Sequence, residues 1–198
     1  MTGDMSEVIL RPPRYQDIER VAVVHVRSWQ AGYRGLLPAD FLDGLDPAWR
    51  ARQRRESWNH PDHAHVRSMI AERDGEVIGF VNHGPCQTNP GAGNTTVTPA
   101  TGGEIYALYV HPDHWGTGVG SRLLDAAVAD LVSSGLTPVR VWTLRGNSRA
   151  VRFYRRRGFV LDDVSQPIRL GPAHTLEATA DRLTLRDAPA TGTRAGPA

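Results

Sequence analysis

The sequence contains no lysine: all 23 basic residues are arginine, set against 21 Asp and Glu for a formal charge of +2. Complete replacement of one cation by another over 198 residues reflects codon usage before it reflects chemistry, so a bacterial source with a GC-rich genome is expected. The small positive excess does not call for a nucleic-acid partner. Cysteine is nearly absent too. Cys86 stands alone, which excludes an internal disulfide framework and any multi-cysteine zinc site and fits a reducing compartment. No run of about 18 apolar residues exists to cross a bilayer as a helix, and the opening MTGDMSEV lacks the basic and apolar regions of a secretory signal. The expected location is the cytoplasm, away from any membrane. No repeat recurs at a fixed period, so stacked-repeat architectures find no support. With 40% hydrophobic residues, the chain is long enough for one buried core and short for two.

Strands and helices alternate along this single expected domain, residues 8–186, which is flanked by a flexible start (1–7) and a disordered tail (187–198) rich in Ala, Thr, Gly and Pro. Residues 8–10 begin a short strand that Pro12 and Pro13 stop. Ile18, Val21, Ala22, His25, Val26 and Trp29 then recur at helical spacing behind Asp17, whose carboxylate complements the helix dipole. Gly32 and Gly35 break that helix, and Pro38 introduces a second short one within residues 36–45. Arg50, Arg52, Arg54 and Arg55 read as a solvated helix face. Asp74-Gly75, between apolar stretches at 66–73 and 76–81, has the chemistry of a type I′ hairpin turn. Residues 85–103 lack apolar periodicity and form a long flexible loop. Further strands are expected at 104–110, 139–144, 159–161 and 179–186, with helices after Gly120 and over 147–157. The sum is a mixed α/β sheet.

The most informative stretch is EIYALYVHPDHWGTGVGSRLL, residues 104–124, in which an apolar strand runs through a glycine-spaced turn into an amphipathic helix. Gly116, Gly118 and Gly120 permit tight geometry and close approach of a ligand, and the unpaired N–H groups opening the next helix offer donors and a positive dipole end to an anion. A phosphate-bearing ligand is expected. It is neither a nucleoside triphosphate, because GK[ST] is missing, nor a dinucleotide, because the spacing is not GxGxxG. His25, His83, His111 and His114 lack the spacing of a metal site, so no metal is expected.

A second segment, NSRAVRFYRRRGF at 147–159, completes the pattern. Together the two segments resemble the GCN5-related N-acetyltransferase (GNAT) superfamily, in which a turn [QR]xxGx[GA] binds the pyrophosphate of acetyl-CoA and a helix NxxAxxxYxxxGF lies against that co-substrate. Asn147, Ala150, Phe153, Tyr154, Gly158 and Phe159 fall on the second motif. The head of the turn departs from the first, since Trp115 stands where Arg or Gln is usual. WQAGYRGLLPADF at 29–41 is similar to the helix-loop-helix that many members place over the acceptor, which would put Trp29 and Tyr33 in an acceptor pocket; aromatics at this spacing are also what a core needs.

The resemblance implies a single-domain GNAT fold with a mixed, mostly antiparallel sheet flanked by helices, and direct acetyl transfer to a primary amine of a small molecule or peptide. It implies co-substrate contacts from Tyr109, Val110, Trp115, Gly116, Thr117, Gly118, Val119, Gly120, Ser121, Asn147 and Tyr154. An alkylammonium loses its proton only near pH 10, so a base must act before nitrogen attacks the thioester. Glu104 occupies the position at which several members carry that base. Tyr154 matches the general acid for the departing thiolate, and the backbone N–H of Leu108 the oxyanion donor. The alternatives are a catalytically silent acyl-CoA-binding module and an O-acetyltransferase on the same fold. A monomer or homodimer is expected.

Overall fold

A computed structural model of the protein describes residues 7–58, 60–87, 101–171 and 176–186; most of the expected flexible start, most of the 85–103 loop and the 187–198 tail lie outside them. Seven strands form one sheet in the order β1-β2-β3-β4-β5-β7-β6. They are β1 (Ile9–Arg11), β2 (Arg67–Arg73), β3 (Glu76–Pro85), β4 (Gly103–Val110), β5 (Val139–Leu144), β6 (Val160–Leu170) and β7 (Leu176–Leu185). Every neighbouring pair is antiparallel except β4 and β5. Among the described residues five α-helices join them: α1 (Ile18–Gly32), α2 (Ala39–Asp43), α3 (Pro47–Ser57), α4 (Val119–Ser133) and α5 (Ser148–Arg155). None of the described helices is long and apolar enough to cross a membrane.

Two helices sandwich the sheet. Leu123, Leu124, Ala127 and Leu131 of α4 pack with Ala71, Val81, Ile105 and Val141, whereas Val21 and Val24 of α1 pack with Ile70 and Phe80. Adjacent strand residues point to opposite faces, so Ile70 beside Ala71 and Phe80 beside Val81 put α1 and α4 on opposite sides. The apolar spacing of α1 and α4 is what lets each bury one stripe.

Two irregularities in β4 shape everything that follows. Its ladder with β3 pairs Asn82 with Ala107 and then His83 with Ile105, so Tyr106 is an extra residue in a bulge. The bulge turns Ile105 toward α4 and Ala107 and Tyr109 toward α1, and Glu104, next to Ile105, falls on the α1 face. On its other edge β4 pairs with β5 only over Gly103–Ile105. Beyond that the two strands part.

The hairpin turn is as expected, with Asp74 at φ 53 and Gly75 at φ 76. Three expectations need correction. The strand expected at 159–161 runs on to Leu170. Its DDVSQP stretch carries no apolar alternation because β6 is an edge strand, exposed along much of its length, where proline's missing N–H costs no ladder bond. The helix expected over 147–157 is shorter, with Asn147 as its cap. The arginine run is only partly a solvated face. Ala51 seats α3 against Ile18 and Ala22 of α1, which turns positions 50 and 54 inward while Arg52 stays exposed and Arg55 pairs with Glu19.

Candidate active site

The turn after β4 opens into space. Gly116 and Gly118 have φ of 80 and 86, and a Cβ built on either would meet nothing within 4 Å. Positive φ, not crowding, is therefore what requires glycine there. Gly118 is the N-cap of α4 and supplies no side-chain cap bond, so the first N–H groups of α4 are left for another acceptor. Gly120 has a different role: a Cβ there would lie 3.7 Å from the Phe153 ring, which is how closely α4 approaches α5.

Trp115, at the head of the turn, is tied to the end of β4. Its indole N–H donates to the Val110 carbonyl at 2.7 Å, and the Ser28 hydroxyl donates to the same oxygen at 2.8 Å. The Arg149 guanidinium then lies 3.4 Å from the Trp115 ring centroid, a cation–π stack. The positive charge missing from the turn's sequence is thus supplied from the first turn of α5.

Where β4 and β5 part there is a cleft of about 420 Å³. Residues 105–110 of β4, the glycine turn, Thr143 of β5 and Asn147, Arg149 and Tyr154 line it, with Tyr33 at the C-cap of α1. Asn147 also accepts the Ala150 N–H at 3.0 Å and so caps α5. Tyr154 is buried, edge-on to Phe153 and Phe159; burial, then the nearby Tyr109, raises its phenol above the usual range. Burial, followed by Tyr109, does the same for Tyr33. These phenols are neutral at physiological pH. The Thr143 hydroxyl in the cleft wall is buried with no hydrogen-bond partner among the described residues.

The other expected site residues divide. Tyr109, Val110, Trp115, Gly116, Gly118, Gly120, Ser121 and Leu108 line the cleft. Val119 turns its side chain into the core, and the Thr117 hydroxyl donates to the His114 carbonyl, so neither side chain lines the cleft. Tyr33 reaches it, whereas Trp29 packs behind with Leu37, Leu42 and Leu144. Glu104 does not line it either. Its carboxylate accepts the Gln87 N–H at 3.3 Å, on the α1 face beside Tyr106, which does line the cleft. Burial pushes the Glu104 carboxyl up to about 7, against smaller opposing effects of Gln87 and Arg140. No group of three or more His, Cys, Asp or Glu among the described residues could hold a metal.

Sequence reasoning missed Ser28, Thr143 and Arg149. Ser28 had a signal, since it continues the apolar stripe of Val21 and Val24 as a polar residue. Arg149 had none: its partner is 34 residues away in sequence, by the numbering of Trp115 and Arg149, and only the fold joins them.

The sequence profile of the acetyltransferase (GNAT) family matches residues 28–159. An uncharacterised N-acetyltransferase of Bacillus subtilis (strain 168), YuaI, is 26% identical over 150 residues, covering 75% of this chain and 78% of that protein. A mycothiol acetyltransferase of Cellulomonas flavigena is 32% identical over 144 residues, covering 63% of this chain; the match spans only 40% of that longer protein. The solved PaiA N-acetyltransferase of Thermoplasma acidophilum, in complex with coenzyme A, superposes with a TM-score of 0.65 at 19% identity, covering 88% of this chain and 98% of that one.

Proposed function

This chain belongs to the acetyltransferase (GNAT) family, and from that membership we propose that it carries the acetyl group of acetyl-CoA directly to a primary amine of a small molecule or peptide. The observation that carries this reading is the parting of β4 from β5 after Ile105. It frees the edge of 106–110 from a β5 partner and exposes it to a cleft that also contains the glycine turn and a buried tyrosine.

The turn fits a pyrophosphate, because its backbone faces open space and the α4 dipole adds a positive end. Arg149 adds a full charge, held in place by Trp115. The Leu108 N–H serves as oxyanion donor in this reading, on the strand freed from its neighbour. Glu104 takes the amine's proton, through water, from the α1 face; a carboxyl near pH 7 is matched to that task. Nitrogen then attacks the thioester carbon, the C–S bond breaks, and Tyr154 gives its proton to the leaving sulfur. A phenol kept neutral by burial is suited to that donation.

Arg149→Ala tests the turn's outfit separately from the chemistry. Loss of one charge-assisted phosphate contact should weaken CoA about 10-fold, and the deficit should shrink as salt rises. Calorimetric titration at two salt concentrations measures both, alongside CoA release with an amine panel. An unchanged dissociation constant would reduce the Trp115–Arg149 stack to packing, and absence of CoA release with any amine would leave a binding module.

A further inference from the structure

On the α1 face of the sheet, behind β4, lies a second cavity of about 810 Å³, which adjoins a third of about 480 Å³. Arg54, Ser57, His60, His63 and Asn82 line both. The larger cavity reaches Gln87, whose N–H meets Glu104, and Tyr106, which also lines the acetyl cleft. The bulge of β4 is therefore a shared wall, with the thioester side in front and this cavity behind.

The charge in that cavity is uncompensated. The Nε of Arg54 is sealed from solvent and has no hydrogen-bond partner among the described residues. Neither Arg54 nor Arg50, one turn earlier on α3, forms an ion pair among them, although Arg55 on the same helix does. Glu56 lines the outer pocket from an exposed position and pairs with neither. Both ring nitrogens of His25 are buried and unpartnered as well, and its ring stacks on Tyr109 with centroids 4.8 Å apart. What Arg54 does have is the face of Phe80, 4.6 Å from its guanidinium. An aromatic face attracts a cation but accepts no hydrogen bond from its Nε. Burial, with Arg50 adding to it, pulls the Arg54 guanidinium down to about 10. Arg54 is half-buried, and its sealed, unpartnered Nε is a donor available to an anion entering the cavity.

We infer that this cavity binds a carboxylate of the acceptor through Arg54, with Arg50 beside it, so that the substrate is a small amine that also carries a carboxylate. The inference rests on the acetyl-transfer reading above for the word acceptor, not for the anion. A guanidinium presents a planar fork that matches a carboxylate's two oxygens. An acceptor anchored there would pass its amine around Tyr106, which lines both spaces, to reach the thioester, with Glu104 on the side it comes from. Arg54 is thus a specificity-determining residue, and its substitution should act on KM more than on kcat.

The test pairs acids with their neutral analogues. The twenty L-amino acids, β-alanine and 4-aminobutyrate, each beside its carboxamide, are screened for CoA release and for thermal stabilisation of the CoA-loaded protein, with inorganic phosphate as a separate arm. At least one acid should be preferred over its amide by about 10- to 100-fold in kcat/KM, the scale of a hydrogen-bonded charge contact. Arg54→Met should erase most of that preference through KM, leaving kcat and CoA affinity within about twofold, and Arg54→Lys should recover part of it. Arg50→Met supplies the same comparison should Arg54→Met fail to fold. Equal use of acids and amides overturns the site while leaving acetyl transfer standing. Stabilisation by phosphate but by no acid also overturns it. Stabilisation by an acid through Arg54 without CoA release keeps the site and removes the transfer reading, and neither effect removes both.

Discussion

Gly118→Asp is expected to abolish the stabilisation of this protein by CoA. A Cβ at that position meets no atom within 4 Å, so the variant folds, with only the modest strain of a non-glycine residue at φ +86. The new carboxylate sits where the proposed pyrophosphate approaches and cancels the attraction of the α4 N-terminus. For the unaltered chain, CoA at about 100 times its dissociation constant contributes about 2.7 kcal/mol, roughly 5 to 10 °C in Tm for a domain of this size. Gly118→Ala is the control, since it carries the backbone strain without the charge and should keep part of the shift. A full CoA shift in folded Gly118→Asp would mean that the pyrophosphate lies elsewhere.

The second large effect separates base from acid by pH. Glu104→Gln should cost about 100- to 1000-fold in rate between pH 7 and 8, where the wild-type carboxyl is ionised and the amine is still ammonium. The deficit should narrow below pH 7, as Glu104 takes up its proton at about 7, and narrow again toward pH 10, as free amine accumulates. Tyr154→Phe should lower kcat by a similar factor without that shape, because burial places the phenol's ionisation above the usual range and the wild-type donor stays protonated across the assay. CoA affinity should change little in either variant. Stability supplies a second reading of the same carboxyl. Folded Glu104 keeps its proton after the unfolded chain has released it, so this group makes the fold less stable as pH rises from about 4.5 to about 7, and Glu104→Gln should flatten that fall. Parallel, pH-independent rate losses in the two variants would remove both catalytic roles.

Local rules carried much of the fold. Helical apolar spacing identified α1 and α4, Asp74-Gly75 identified the β2–β3 turn, and the glycine turn pointed to the candidate cleft, because each depends on residues close in sequence. Edge strand β6 was visible only at its start, since its polar face and Pro167 are tolerated by an unpaired edge and by nothing that periodicity measures. The inward turn of Arg54 depends on how α3 docks on α1 through Ala51, and the pairing of Arg149 with Trp115 on how α5 meets the glycine turn. Both are tertiary facts. Glu104 was legible as a residue but not as a location: one extra residue at Tyr106 puts it on the α1 face, where it meets Gln87 outside the cleft.

The reaction proposed for this chain is transfer of acetyl to nitrogen in the cleft between β4 and β5. Its most direct test is incubation of the protein with acetyl-CoA labelled in the acetyl group and with the amine panel, followed by mass spectrometry of every component. Label should move to an amine nitrogen of at least one acceptor, with a matching amount of free CoA, and the transfer should fall by about 100-fold or more in Tyr154→Phe. Label that stays on CoA bound by wild-type protein, or that appears on a hydroxyl oxygen, would contradict the claim and leave respectively an acyl-CoA-binding module or an O-acetyltransferase.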